Sequence, residues 1–391
     1  MVSFELLAPG RIAFGAGRVR ELPAAVHALS IRRVCLVTGR SAARAAALTI
    51  ELGAAGVASF PFRVDGEPTV AQVREGIACA RAGGCDGVLG FGGGSALDCA
   101  KAIAGLAAVG PAGGDPLDHL EVVGRGLPLP GPALPLVAVP TTAGTGSEVT
   151  RNAVLGVPGA SVKASLRSPL LLARLALVDP ELLAGAPRSV LVNGGMDALS
   201  QLVEPWLSAR ANPVTDALAE EGIRRSVRAL GPACAAPDGP DAAQREDLAM
   251  ASLLGGLCLA NAGLGAVHGF AGPAGGMLDA PHGALCAALL APCLRVNLAA
   301  LRERAPGAPA LSRLATLARW LTGRPDAGAE DGIAWIEGLC ATLGVRGLAA
   351  HGLTGGEVPA LVARAQAASS MKANPVALTE GELREIAERA M

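Results

Sequence analysis

The chain has 391 residues, 51% of them hydrophobic and 17% charged, with a formal net charge of −1. That length exceeds what one hydrophobic core usually serves, so two domains are expected, and the apolar content excludes a disordered chain. Near-zero net charge and few aromatics (six Phe, three Trp, no Tyr) leave no electrostatic or stacking footprint for nucleic acid, and no charge attraction to an anionic membrane.

In chain order, Arg33-Val34-Cys35-Leu36-Val37-Thr38 reads as a buried strand ending at Gly39. Ser41 is expected to cap a helix to about Leu52, and Ala58-Ser59-Phe60-Pro61-Phe62 is a second, weaker strand. Thr69 caps a helix to about Ala82, residues 86–91 form a third strand, and Ser95 starts a helix to about Ala107. Residues 134–139 form a fourth strand that delivers Pro140 and a loop. Strand–helix alternation at this spacing predicts a parallel sheet with helices on both faces. From Pro187 onward there is no convincing strand. Helices are expected over 188–206, 213–229, 241–261, 282–297, 309–321, 330–343, 355–366 and 379–389, the last opened by Thr379 with Glu380 and Glu382. The glycine- and proline-rich segments 109–116, 124–133 and 235–240 read as surface loops. The fold class is therefore an α/β N-terminal domain, residues 1–183, plus an all-α C-terminal domain, residues 184–391.

Nine cysteines without a C-x-x-C pair read as reduced core thiols of a cytosolic protein. The N-terminus lacks the basic and apolar regions of a signal peptide, and no apolar run reaches membrane-spanning length uninterrupted. A soluble, cytoplasmic protein is expected.

Phe91-Gly92-Gly93-Gly94-Ser95 follows a strand and opens a helix, where successive glycines admit a phosphate and the helix start supplies unpaired N–H groups. It is not the G-x-G-x-x-G fingerprint. A second small-residue loop, Pro140-Thr141-Thr142-Ala143-Gly144-Thr145-Gly146-Ser147-Glu148, also follows a strand. Two such loops at strand carboxyl ends point to a nucleotide or dinucleotide. Asp98 and Lys101 are either a helix-face pair or part of the cofactor site.

Two of only five histidines, His268 and His282, lie in one stretch punctuated by glycine and proline. Upstream, Asp197 and Gln201 stand four apart and so share a helix face. A carboxylate, an amide oxygen and two imidazoles suit one divalent cation. Neighbours Met196, Ala198 and Leu199 bury Asp197, and a buried carboxylate needs a partner. Gln201 reads equally as a ligand or as a hydrogen-bond donor. His27, His119 and His351 read as surface or capping residues.

These segments, in this order, resemble the iron-containing (group III) alcohol dehydrogenase family, which shares the dehydroquinate synthase-like fold. The resemblance runs from Pro9-Gly10-Arg11-Ile12-Ala13-Phe14-Gly15 through the two glycine loops, Val178-Asp179-Pro180 and Gly195-Met196-Asp197-Ala198-Leu199 to the histidine stretch. It implies a helical domain that holds the metal and a nicotinamide in the cleft between domains. Carried over by position, Gly93, Gly94 and Ser95 bind the pyrophosphate. Thr141, Thr142 and Thr145 line the adenosine and diphosphate side, and Asn152 and Lys163 approach the ribose. Asp197, His268 and His282 are metal ligands and catalytic residues.

Two positions depart from the family. Gln201 stands where a fourth ligand, a histidine, is usual, and Gly272 stands where a second histidine borders the nicotinamide. With fewer imidazoles, zinc or manganese becomes as plausible as Fe²⁺. The turn Gly39-Arg40-Ser41 has no acidic residue to repel a 2′-phosphate, and Arg40, Ser41 and Arg44 offer a cation and donors, so NADP(H) is expected beside NAD(H). The expected activity is interconversion of a small alcohol with an aldehyde or ketone, by a homo-oligomer, a dimer or larger. Alternative readings are a maleylacetate reductase-like, polyol-phosphate or dehydroquinate synthase-like enzyme, with Arg151 and Arg174 as the candidate anion contacts, or a degraded nucleotide-binding protein.

Overall fold

Apolar residues at alternate positions of the N-terminal strands face opposite sides of one sheet. In the computed structural model, described for residues 3–39, 42–109, 114–160, 162–278 and 280–391, that sheet belongs to the first of two units. Its strands are β1 (Ile12–Phe14), β2 (Arg33–Thr38), β3 (Ala58–Arg63), β4 (Gly87–Gly92), β5 (Leu136–Pro140) and, later in the chain, Leu175–Val178. Between them run helices α1 (Leu22–Ala28), α2 (Ala42–Ala54), α3 (Val70–Ala82) and α4 (Gly94–Ala107). A hairpin of β6 (Asn152–Val157) and β7 (Val162–Arg167) precedes the strand Leu175–Val178, which is β8. All six sheet strands are parallel, in the order β1-β8-β5-β4-β2-β3.

Val34 and Leu36 of β2, Leu89 and Phe91 of β4, and Val137 and Val139 of β5 pack on one face with Leu22, Val26, Leu48 and Leu52 from α1 and α2. Their neighbours Cys35, Val37, Val88, Leu136 and Ala138 pack on the other with α3 and α4. Both faces are covered, so the strands read as continuous apolar runs. The Asp179 carboxylate ties the end of β8 back to the start of the unit, accepting from the backbone N–H groups of Gly17 at 3.1 Å and Val19 at 2.9 Å.

The second unit is helical: α5 (Arg188–Leu207), α6 (Pro213–Ala235), α7 (Ala242–Ala262), α8 (Ala266–Met277), α9 (His282–Arg304), α10 (Pro309–Thr322), α11 (Ala329–Leu343), α12 (Val358–Ala367) and α13 (Glu380–Arg389). Helix α5 is buried along most of its length, polar residues included, and packs against α6, α7 and α9. Near its end Trp206 packs against Trp320 with ring centroids 4.5 Å apart and the planes tilted by 53°, and the Arg313 guanidinium lies 4.5 Å from the Trp206 ring centre while pairing with Asp216. Helix α9 is long and apolar enough to cross a membrane by composition, yet most of it is buried in its own unit.

By internal contacts, Ala143–Thr145 group with the helical unit. Corrections concern local structure. Residues 266–277, read as an irregular stretch, form α8 with Pro273 inside it, because Val267, Phe270, Ala271 and Ala274 are buried and that burial outweighs the glycines and proline. The β6–β7 hairpin and the three-residue β1 carry too little alternation to read from sequence. His119, expected at the surface, is buried and its Nδ1 lies 3.0 Å from the Leu127 carbonyl oxygen. Ser41 and Arg40 lie outside the described residues, as does the side chain of Arg44.

Candidate functional site

Helix α4 begins at Gly93 without a side-chain cap, so its first N–H groups have no protein side chain to serve. Gly93 is extended (φ −77°, ψ −176°), a conformation open to any residue; its constraint is space. A Cβ there would lie 3.1 Å from Thr142 Oγ1, and one at Gly92 would lie 2.7 Å from the Ala96 Cβ. The first glycine loop and the threonine loop are thus neighbours, joined also by the Thr141 N–H donating to the Gly92 carbonyl at 2.9 Å. Gly93, Gly94 and Ser95 are partly exposed in an otherwise buried stretch. A cradle that a Cβ would fill, above an uncapped helix start, fits a pyrophosphate.

Asp98 and Lys101 have structural partners. Lys101 is 1% exposed, and its ammonium donates to Ser147 Oγ at 2.7 Å, Thr150 Oγ1 at 2.8 Å and the Asn152 carbonyl at 2.8 Å. One Asp98 oxygen accepts from Ser147 Oγ at 2.5 Å and the other from the Val154 N–H at 3.0 Å. Together they fasten the threonine loop and hairpin to α4. Burial lowers the Lys101 pKa, opposed by Asp98 and Glu148. Lys163 pairs with Glu67 at 2.5 Å.

Glu148 is buried in the same loop, and burial raises its pKa to about 7, with its backbone N–H and Lys101 opposing. A carboxyl whose folded pKa is raised stabilises the fold fully below its unfolded pKa and loses that contribution as pH climbs through the folded value. Relative to Glu148→Gln, the wild-type chain is therefore expected to lose on the order of 1–3 kcal/mol of stability between about pH 5 and pH 8. Thermal unfolding of both proteins across that range checks this; a constant difference would show that Glu148 does not titrate there.

In the helical unit, three elements bring four groups together. Asp197, Gln201 and Glu204 fall on one face of α5 by their i, i+4, i+7 spacing. His268 is in the first turn of α8, and His282 and Cys286 stand one turn apart at the start of α9. Candidate ligand atoms of Asp197, His268, His282 and Cys286 all lie within 4.8 Å of one another. Asp197 Oδ1 is 3.3 Å from His268 Nε2 and 3.9 Å from His282 Nε2. Cys286 Sγ is 3.7 Å from His268 Nε2 and 3.6 Å from His282 Nε2.

Close helix approach depends on two glycines. A Cβ at Gly283 would lie 2.1 Å from the Asn193 carbonyl oxygen, and one at Gly194 would lie 2.2 Å from that of Ala143. The Gly144 N–H in that second contact donates to Ser252 Oγ at 2.7 Å. Glu204 orients His268: one oxygen lies 2.5 Å from His268 Nδ1, and the other accepts from the Val267 N–H at 2.7 Å, capping α8. With Nδ1–H donated to a carboxylate, Nε2 faces the cluster, the usual arrangement behind a metal-binding imidazole.

Asp197 is 2% exposed; burial alone would raise its pKa, but His268, His282 and the Gln201 amide hold it below the ordinary value. Burial would lower both imidazoles, yet the thiol and carboxylates overcome it, raising His268 well above its ordinary value and His282 to about 9. Gln201 Oε1 is buried with no partner among the described residues. A charged donor set at such spacing, beside an orphaned oxygen, fits a divalent cation. Asp197, His268 and His282 converge as expected by position. Sequence reasoning missed Glu204, whose sign was its i+7 spacing from Asp197, and Cys286, whose sign was its i+4 spacing from His282. At Gly272 a side chain would meet nothing within 4 Å.

The α/β unit thus has a glycine-lined helix start, and the helical unit a cluster of side chains that could hold a metal ion. The family profile for iron-containing alcohol dehydrogenase matches residues 9–180, and the family's C-terminal profile matches 191–391. A 1,3-propanediol dehydrogenase of Klebsiella pneumoniae is 42% identical over 241 residues, 62% of this chain and 60% of that protein. That of Citrobacter freundii is 38% identical over 307 residues, 77% of each. A crystal structure of a 1,3-propanediol oxidoreductase superposes with a TM-score of 0.90 at 33% identity, covering 100% of both chains. The chain belongs to the iron-containing alcohol dehydrogenase family. It is an oxidoreductase of the alcohol dehydrogenase type, in a family that works with NAD(H) and a divalent metal.

Proposed function

We propose that this chain reduces a small aldehyde or ketone, or oxidises the matching alcohol, with NAD(P)(H) on the α4 cradle and a divalent ion held by Asp197, His268 and His282. The observation that carries the reading is the convergence of those three side chains from three different helices. The ion when bound supplies a Lewis acid for the substrate oxygen, and the nicotinamide supplies or accepts the hydride. The protein's part is to position both. Glu204 fixes the His268 ring, Asp197 supplies the negative charge, and Lys101 with Asp98 holds the threonine loop in place. Gly272 offers no proton-carrying group, so the reaction proton leaves through water or the ribose hydroxyls. His282, with a side chain 32% exposed against 3% for Asp197 and 7% for His268, lies on the solvent-reachable side of the cluster. Metal analysis combined with nicotinamide oxidation against a panel of aldehydes tests the reading; a metal-loaded protein inert to every aldehyde and ketone would refute it.

NADP(H) is part of the proposal. Gly39 ends β2, and a Cβ there would meet nothing within 4 Å, so a carboxylate fits the turn. Gly39→Asp is expected to lower kcat/KM for NADPH by on the order of 10-fold relative to NADH, by charge repulsion of the 2′-phosphate. A preference for NADH that the substitution leaves unmoved would show that this turn does not read the ribose. Ser41, Thr145, Asn152 and Lys163 are proposed cofactor contacts on the family pattern alone.

A homo-oligomer is also proposed. In the α/β unit β1 is an edge strand with Ile12 36% exposed, and in the helical unit Phe4 and Leu6 are each 47% exposed, apolar groups that association would cover. Sedimentation gives the oligomeric state. The nine cysteines are all free, which supports a reducing, cytoplasmic location.

A further inference from the structure

We propose that Cys286 is a ligand of the metal, bound as thiolate in the place that Gln201 does not fill, and that this donor set selects zinc. The inference rests on the reading above that Asp197, His268 and His282 bind a divalent ion.

The spacing carries the first part. Oxygen and nitrogen ligands about 2.0–2.1 Å from a tetrahedral ion sit about 3.3 Å apart, and sulfur at about 2.3 Å sits about 3.6 Å from a nitrogen ligand. Three observed edges match: 3.3 Å from Asp197 to His268, and 3.7 Å and 3.6 Å from Cys286 to His268 and His282; the edge from Asp197 to His282 is longer, 3.9 Å. The sulfur thus stands at once at hydrogen-bond and at ligand distance from two imidazole nitrogens that also face a carboxylate. The position is built: Cys286 is one turn after His282, on a helix that the Gly283–Asn193 contact holds against α5.

Gln201 carries the second part. Its amide N–H₂ serves Asp197, which leaves its buried Oε1 orphaned. That amide acts as a donor supporting the carboxylate. Between a neutral amide oxygen and a thiolate, the thiolate carries charge and matches a softer ion. Asp197 and Cys286 together neutralise a divalent cation, and a thiolate favours zinc over Mn²⁺ and Fe²⁺. As the ligand–metal bonds form, the Cys286 thiol proton and any proton on the ligating imidazole nitrogens pass to solvent.

The test uses the full chain, stripped of metal by chelation and reloaded with Co²⁺ or Zn²⁺ alone. Wild type with Co²⁺ is expected to show an intense near-ultraviolet thiolate-to-cobalt charge-transfer band, which Cys286→Ser abolishes. The same substitution is expected to weaken Zn²⁺ binding by on the order of 10–100-fold, measured by chelator competition. Adding Gln201→His to Cys286→Ser is expected to recover binding without the band, and with a lower Zn²⁺ to Mn²⁺ preference than wild type. Co²⁺ binding by wild type without a charge-transfer band overturns the thiolate ligand and leaves the three-ligand reading standing. Failure of wild type to bind either ion overturns both. The wild-type spectrum decides without any variant, and Cys286→Ala repeats the comparison should the serine variant fold poorly.

Discussion

His268→Ala is expected to give a folded chain that neither retains a divalent ion through gel filtration nor oxidises a nicotinamide cofactor in the presence of an aldehyde. The imidazole is one of the converged ligands, and it is also the partner of Glu204, whose buried oxygen at 2.5 Å would lose its donor. That orphaned carboxylate costs on the order of 1–3 kcal/mol, so a lowered melting temperature accompanies the loss. Glu204→Gln separates the two effects. It keeps a hydrogen-bonding group behind the ring but removes the charge, and is expected to reduce metal affinity 10–100-fold, roughly the range for such supporting partners. Because Glu204 touches neither ion nor substrate, its effect should fall on metal content, with turnover recovering at saturating metal. Full metal retention by His268→Ala would mean that the three helices converge for packing alone.

Gly93→Val is expected to abolish measurable binding of the dinucleotide while the protein stays folded. The backbone at 93 is extended and accepts a branched residue without strain. The new Cβ would stand 3.1 Å from Thr142 Oγ1, and its methyl groups would occupy the space above the α4 start. Two charge-assisted bonds from helix N–H groups to a phosphate are worth about 1.5–3 kcal/mol each, so losing them weakens binding by about 100-fold or more. Calorimetry with NADH and NADPH measures it, with circular dichroism as the control for folding. Unchanged affinity would move the cofactor away from this loop.

What could be read from the residues follows the range of the physics involved. The β2 run from Val34 to Thr38 and the caps at Thr69 and Thr379 are local, and the strand and both helix starts stand as expected, each start closed by a capping box. Asp197 was legible because an acid among Met196, Ala198 and Leu199 announces a buried charge. Helix α8 was not, since its glycines and Pro273 mimic a loop and only tertiary burial holds it helical. Cys286 sits in Ala284-Leu285-Cys286-Ala287, indistinguishable by neighbours from the core thiols Cys258 and Cys293. Its i+4 spacing from His282 was the one local sign, and the meeting of α5, α8 and α9 that gives the sign its meaning is encoded by no local pattern. The same limit applied to Asp98 and Lys101, whose i, i+3 spacing was visible while Ser147, Thr150 and Asn152 were not.

The tilted ring pair Trp206 and Trp320, with Arg313 against it, gives the molecule a built-in optical reporter. The third tryptophan, Trp335, is also in the helical unit, and the chain has no tyrosine, so ultraviolet emission comes from the helical unit alone. The α/β unit is dark by comparison, while far-ultraviolet circular dichroism sees both. Coincident melting by the two signals would mark one cooperative transition; separate midpoints would give each unit its own stability, with no label attached.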